Sequence, residues 1–404
     1  MSIIHELFSP TSYDNPFPIY AALRERGAAV HVPEFGMYLV SRYEDVQRVL
    51  KNPELFSSAH MAEGARLKDS RLLDGMNLLI GTDSVISSDP PAHTRLRKLV
   101  SVAFTPRAIA RLEGRVREIT GELIDAILEK DSFDMMADFA VPLPVIVIAE
   151  MLGVDPSRRA DFKRWSDDIV IGSNFNAVFS EAEIERIIKS RYELADFFRE
   201  MIEERVEEPK NDLLSDLVRA QVEDDKLSPQ EVLTMASVLL IAGNETTTNL
   251  IGNATAELLN HPEVEAQLRE DPSLIPGFIE EALRYRPPAV MGSRSTTRET
   301  TLGDVTLPAG AQLGVLMDSA NHDPARFEDP ERFDITRNPA HLTFGFGIHF
   351  CVGAPLSRLE GKVAFEEILE RLPAFSREPG PLEWNPNFHL RGLARLPLRF
   401  DSRA

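Results

Sequence analysis

One cysteine, two tryptophans and six tyrosines are all that these 404 residues hold of those types, and each shortage excludes something. A lone Cys351 cannot form an internal disulfide, so the chain is not a disulfide-stapled secreted scaffold and suits a reducing compartment. No apolar run is long enough to span a bilayer. The first eight residues carry an acidic side chain and lack the basic start and apolar core of a signal peptide. Neither export nor a membrane anchor is expected, and the cytoplasm is. Positive charge is also short. Lysine and arginine number 44 against 64 acidic residues, a net charge of −20, which argues against general nucleic-acid binding. What remains is 43% hydrophobic and 27% charged, enough to bury a large core. No repeat or linker interrupts it, so a single domain over residues 1–404 is expected, mainly α, with a small β-rich lobe drawn from 29–41, 294–316 and 386–400.

Local signals place the elements. Residues 16–26 read as a short helix; 29–32 and 37–41 flank a Pro-Glu-Phe-Gly turn as a hairpin; 43–51 read as a second helix. A long loop is expected from about 57 to 89, including the apolar patch 76–80, and loops of that length usually have a function. Asp89 is expected to cap a helix starting at the prolines 90–91, with His93 and Arg97 four apart on one face. From 106 to about 220 the pattern is helix after helix, broken at 141–144, 153–156 and 172–179. The stretch 165–179 reads as two helices joined by a lid.

Ser228-Pro229-Gln230-Glu231 is a capping box with proline at the first helical position, and Leu227 and Val232 occupy the flanking staple positions. The helix it starts runs to Asn260 and is apolar nearly all round through Ala242. Gly243-Asn244-Glu245-Thr246-Thr247-Thr248 then breaks the rule. A glycine, a carboxylate and three threonines all weaken a buried helix, and such a violation marks a functional site. Near the C-terminal end, Phe344 to Gly353 holds three glycines, three phenylalanines and Cys351. Glycine lets the backbone turn tightly and approach a flat partner, and the aromatics are expected to exclude water. The helix expected over 354–372 would aim its N-terminal N–H groups at a thiolate, a soft donor suited to iron. A buried cysteine serving as a small hydrophobe fits the same residue taken alone.

Three motifs together resemble the cytochrome P-450 family of haem-thiolate monooxygenases, in its soluble bacterial class, and the resemblance covers essentially the whole chain. They are Phe-Gly-x-Gly-x-His-x-Cys-x-Gly from Phe344 to Gly353, Ala-Gly-x-Glu-Thr from Ala242 to Thr246, and Glu-x-x-Arg from Glu281 to Arg284. The resemblance implies haem b held between the long central helix and the cysteine-loop helix, with Cys351 as the iron ligand. It implies that His93, Arg97, Arg294 and His349 bind the propionates, that Phe344, Gly345, Ala242 and Gly243 line the cofactor, and that Glu281 and Arg284 form a structural ion pair. Glu245 and Thr246 match the acid–alcohol pair that delivers protons for dioxygen cleavage.

By the same analogy the pocket is expected to draw on Leu79, Ile80, Val85, Ile169, Phe175, Val238, Leu239, Ala289, Val290, Met291 and Phe388. These are apolar, so the expected substrate is a lipophilic small molecule such as a fatty acid, terpenoid, steroid or polyketide. Dioxygen is the co-substrate. Electrons from NAD(P)H are expected through a separate ferredoxin or flavodoxin with its reductase, docking near Arg107, Arg111 and Arg115, on a monomer. His322 departs from the arginine many relatives carry in the Ala-Asn-x-Asp-Pro segment. Two rival readings are a non-catalytic haem-thiolate sensor, which has no use for the Glu245–Thr246 pair, and a cysteine-nucleophile hydrolase, which would need His349 as base and lacks an orienting group for it.

Overall fold

The computed structural model describes all residues except 1–5, 8, 10–11, 60–69, 81–83, 102–103, 173–178, 223–224, 386, 388 and 402–404. Helix α1 (Phe17–Arg26) starts between Pro16 and Pro18 and stops at Gly27, whose φ of 137° most side chains avoid. Helix α2 (Tyr43–Lys51) buries Val46, Val49 and Leu50 on one side. Helix α3 (Ser70–Ile80) occupies the stretch expected to be loop. Of its apolar residues, 72, 73, 76, 79 and 80 repeat at helical spacing, with Leu78 beside them, and Gly75 in their midst obscures the pattern. Helix α4 (Ala92–Ser101) follows the prolines 90–91. The Asp89 carbonyl accepts from the His93 N–H at 3.0 Å, as a residue at the cap position does, and its Oδ1 accepts from the Ser58 N–H at 2.9 Å.

Helix α5 (Glu113–Leu128) is followed by a π-helical turn, Met136–Ala140, that feeds straight into α6 (Pro142–Met151). Pro142 and Pro144 therefore open a helix instead of breaking one, because the first turn has no use for their missing N–H groups. Helix α7 (Arg159–Ile171) and the capping-box helix α8 (Glu181–Glu207) follow; most of the lid expected between them lies outside the described residues. Helix α9 (Pro229–Asn260) begins as its sequence signals, with Ser228 N–H donating to Glu231 Oε2 at 2.7 Å and Glu231 N–H to Ser228 Oγ at 3.3 Å. Its 32 residues make a rod of about 48 Å. Helices α10 (Ile275–Tyr285) and α11 (Ala354–Arg371) complete the set that carries the site.

Contacts divide the chain into two units. The first comprises Met1–Ser57, Glu113–Leu143 and Thr246–Ala404, and the second Ser58–Leu112 and Pro144–Glu245. The first holds a five-stranded sheet of β1 (Val30–Val32), β2 (Met37–Val40), β3 (Phe56–Ser57), β4 (Met291–Thr296) and β5 (Gln312–Leu316), in the order β1-β2-β5-β4-β3. Only β2 and β5 run parallel; the other pairs are antiparallel. Its helical core packs α9, α10 and α11 through Leu250, Phe278 and Phe365, the two rings meeting edge-on at 4.9 Å. The tail expected as strand forms two short ones, Leu393–Arg395 and Pro397–Phe400.

The second unit packs α7 on α8 through Trp165 and Phe197, 5.2 Å apart, and Phe162 and Phe198, 6.3 Å apart. Arg191 of α8 is wholly buried there, donating to the carbonyls of Leu72 and, at 2.9 Å, Gly172. A Cβ at Gly75 would stand 3.0 Å from its Cδ, so a glycine of α3 makes room for this arginine.

Candidate active site

The cysteine turn belongs to the first unit. Gly345 and Gly347 take φ of +73° and +72°, a region L side chains rarely adopt. At Gly347 a Cβ would also lie 2.8 Å from the Leu50 carbonyl oxygen at the end of α2. Backbone bonds fold the turn on itself: Gly345 N–H to Leu342 O at 2.8 Å, Phe350 N–H to Gly347 O at 3.1 Å, and Cys351 N–H to Phe344 O at 2.9 Å. The result is a half-buried thiol three residues before α11 begins. Phe350 does not help exclude water as expected, being 41% exposed; its place in the turn is set by the backbone.

Charged groups brace the turn. The Arg358 guanidinium lies 4.6 Å from the centroid of the Phe344 ring and forks onto Glu280 at 2.6 and 2.9 Å, with His341 Nε2 3.3 Å from the same carboxylate. Burial alone would raise the Glu280 carboxyl, but Arg358 and His341 hold it down at about 2. One residue on, Glu281 and Arg284 form a forked pair at 2.7 and 2.8 Å with no exposed side-chain surface. Arg284 also donates to the carbonyls of Asn321, Pro330 and Arg332, and Glu281 accepts from the Asp334 N–H. Arg294 sits on β4 opposite Leu313, 8% exposed, its Nη1 donating to the Ser293 carbonyl at 2.7 Å. His349 closes the short turn Gly347–His349.

Helix α9 runs unbroken through the segment that violates the core rule. Buried as far as Leu240, it then opens: Ala242 is exposed, and Gly243, Glu245 and Thr246 are half-buried. A Cβ added at Gly243 would meet nothing within 4 Å. Glu245 stands in this opening with its pKa pushed up to about 7 by burial. Thr247 and Thr248 do more than fill the helix: Thr247 Oγ1 meets Ser357 Oγ of α11 at 3.4 Å, and Thr248 Oγ1 donates to the Ala140 carbonyl at 3.0 Å. In the second unit, His93 is buried on α4 and Arg97 half-buried one turn on. The four expected propionate partners are thus carried two by each unit.

Of the expected pocket residues, Leu79, Val85, Ile169, Val238 and Leu239 are buried in the second unit and Val290 and Met291 in the first, with Ala289 half-buried. Ile80 ends α3, and Phe175 and Phe388 lie outside the described residues. His322 is 1% exposed, its ring centroid 4.5 Å from that of Phe17 and 5.5 Å from that of Tyr285. Burial holds its pKa below the usual histidine value. Its Nδ1 lies 2.9 Å from the Asp318 carbonyl and 3.3 Å from the Asp318 carboxylate, so the ring bridges those aromatics and a buried acid. The braces Glu280–Arg358 and Thr247–Ser357 escape a reading of the sequence, since no spacing connects residues so far apart.

A cytochrome P-450 family profile matches residues 31–399. The chain is 38% identical over 412 aligned positions to the 6-deoxyerythronolide B hydroxylase of Saccharopolyspora erythraea, covering 99% of this chain and 100% of that protein. Among solved structures, CYP109Q5 from Chondromyces apiculatus matches with a TM-score of 0.88 at 43% identity, covering 98% of both chains. CYP109E1 from Bacillus megaterium, in complex with testosterone, matches with a TM-score of 0.85 at 35% identity, covering 96% of this chain and all 100% of that one. Among the described residues no helix is long and apolar enough to cross a membrane. With sequence and fold matched end to end and the cysteine turn built as described, the chain belongs to the cytochrome P-450 family and is a haem-thiolate monooxygenase.

Proposed function

We propose that Cys351 ligates the iron of haem b and that the chain uses it to oxygenate a lipophilic small molecule. The observation that carries the reading is the turn from Phe344 to Cys351, where two left-handed glycines deliver a half-buried thiol to the start of a helix. The residues present fit such a group. One soft donor is offered, cationic or imidazole side chains of the kind that bind carboxylates stand at Arg294 and His349 in the first unit and at His93 and Arg97 in the second, and a Cβ at Gly243 would meet nothing within 4 Å. The family motifs assign Ala242, Gly243, Phe344 and Gly345 to its lining. When bound, haem supplies the binding and reductive cleavage of dioxygen, one atom passing to substrate and the other leaving as water.

The chain's own part is to hold, orient and protonate. Thr246 offers a hydroxyl on the open face of α9, and Glu245 beside it is a carboxyl whose proton is held near neutrality. Such a group donates below about pH 7 and is ionised above it. Wild-type coupling, the product formed per NAD(P)H consumed, should therefore fall as the pH rises through about 7. Glu245→Gln cannot carry the proton; turnover should drop about a hundredfold and the inflection should vanish. A Glu245→Gln enzyme that kept the wild-type inflection would remove Glu245 from the relay.

Apolar residues at the expected pocket positions support a lipophilic substrate, as do relatives named for hydroxylating 6-deoxyerythronolide B and solved with testosterone. A ferredoxin or flavodoxin with its reductase would deliver the electrons to a cytoplasmic monomer. Arg107 and Arg111 are exposed and available to such an acidic partner, whereas Arg115 already pairs with Glu118 at 2.9 Å. The deciding experiment is the absorbance of the dithionite-reduced protein under carbon monoxide. A strongly red-shifted Soret band is expected, the mark of thiolate ligation; failure to take up haem on reconstitution would overturn the proposal.

A further inference from the structure

Two segments lie side by side in the first unit: 289–291, proposed above as pocket wall, and 389–390, which follows the expected pocket residue Phe388 in the chain. Backbone contacts connect them: the bridge between Ala289 and Leu390, Val290 N–H to His389 O at 2.9 Å, and Arg391 N–H to Pro288 O at 2.8 Å. Behind them stands a buried polar cluster. Arg391, the residue after the second segment, is 4% exposed and reaches Asp318 and Tyr20, both fully buried. Its Nη1 donates to Asp318 Oδ2, its Nη2 donates to Tyr20 Oη at 2.9 Å, and the Tyr20 hydroxyl donates to the same Asp318 Oδ2 at 2.7 Å.

Asp318 connects the two segments. Its backbone N–H donates to the Val290 carbonyl at 3.3 Å, in the first segment, while its side chain holds Arg391 at the end of the second. Asn253 of α9 anchors the same place from another side, its Nδ2 lying 3.0 Å from the Arg391 carbonyl and 3.2 Å from that of Arg286. A buried ion pair adds little net stability over an apolar contact of equal volume. What a forked guanidinium with a bridging hydroxyl does supply is a fixed distance and direction.

We propose that Asp318 and Arg391, with Tyr20, are positioning residues that fix the place of the paired segments 289–291 and 389–390 as one wall, and thereby the size of molecule the site accepts. The inference rests on the reading of those segments as a pocket wall. None of the three residues touches substrate; they act through the backbone of those that do.

Azoles test this without turnover, because they ligate haem iron through nitrogen and shift its Soret band. Imidazole, 4-phenylimidazole and clotrimazole form a series of increasing bulk. Arg391→Lys keeps the charge and removes the fork. It should change the affinity for clotrimazole relative to imidazole about tenfold, with the carbon monoxide spectrum unchanged. Tyr20→Phe, which removes one hydroxyl, should move the ratio in the same direction by less. A control, Phe375→Leu in the strand Phe375–Arg377, loses thermal stability through packing elsewhere and should leave the ratio alone. An unchanged ratio in both Arg391→Lys and Tyr20→Phe overturns the proposal, as does an equal change in the control. If Arg391→Lys does not fold, Tyr20→Phe decides. Should wild-type holoprotein discriminate among the azoles not at all, the pocket-wall reading falls first, and the wild type alone would reveal it.

Discussion

Cys351→Ser should reduce oxygenation to background while leaving the fold in place. Serine is nearly isosteric with cysteine, and the thiol is only half-buried, so the packing loss should stay within about 1 kcal/mol. The turn does not depend on sulfur. It is held by Gly345, Phe350 and Cys351 backbone N–H groups and by the two left-handed glycines. What serine cannot supply is the soft, electron-rich donor that favours O–O cleavage. The variant should take up haem, melt close to wild type, and show a carbon monoxide Soret band at the position of haem without thiolate. A serine variant that retained the red-shifted band would assign the ligand elsewhere, and in a chain with one cysteine would sink thiolate ligation altogether.

Arg284→Ala should fail at an earlier stage, because it removes the fold around the turn. Glu281 and Arg284 are both fully buried, and deleting one member of such a pair costs about 3–5 kcal/mol. The carbonyls of Asn321, Pro330 and Arg332 lose their donor as well, at about 1–3 kcal/mol for each one left unsatisfied. Set against a typical total of about 5–15 kcal/mol, that is most of the stability a domain has. The damage runs toward the cysteine by a short route. Asn321 holds the Leu342 N–H at 2.7 Å and Thr343 Oγ1 at 2.9 Å, and the Leu342 carbonyl accepts the first bond of the turn, from Gly345. We expect little soluble Arg284→Ala protein and no haem in what accumulates. Glu281→Gln, which can still accept from the Asp334 N–H, should fall between it and wild type in a urea titration. An Arg284→Ala midpoint equal to wild type would remove the pair from any role in holding the segment 321–334.

What is legible in the sequence is whatever local chemistry dictates. The capping box at Ser228 announces α9 to the residue, and the prolines and glycine around Phe17–Arg26 bracket α1. The stretch 70–80 reads as loop because Gly75 and the polar residues around it resemble one, although its apolar spacing is helical. Pro142 and Pro144 read as an interruption because proline signals both an end and a beginning, and only the π-helical turn before them decides which. The cysteine motif is legible because ten consecutive residues carry it. The cluster of Tyr20, Asp318 and Arg391 is not, since its members lie up to 371 residues apart in the chain and each alone is an ordinary polar residue. Fold-level proximity creates such groups, and no window along the chain contains them.

Arg191 also constrains how the sequence can drift. A methyl at position 75 would press on the arginine's Cδ at 3.0 Å, with Nη1 and Cβ of the same side chain the next nearest atoms. Alanine at 75 is thus a burden while arginine stands at 191; after a change to a shorter residue there, the Cδ that crowds the methyl is gone, the Cβ at 191, 3.9 Å away, is an ordinary contact, and the alanine gains the helix propensity that glycine lacks. The two sites are epistatic, with the sign of one substitution fixed by the other. Lineages can exchange this pair in one order and not readily in the reverse.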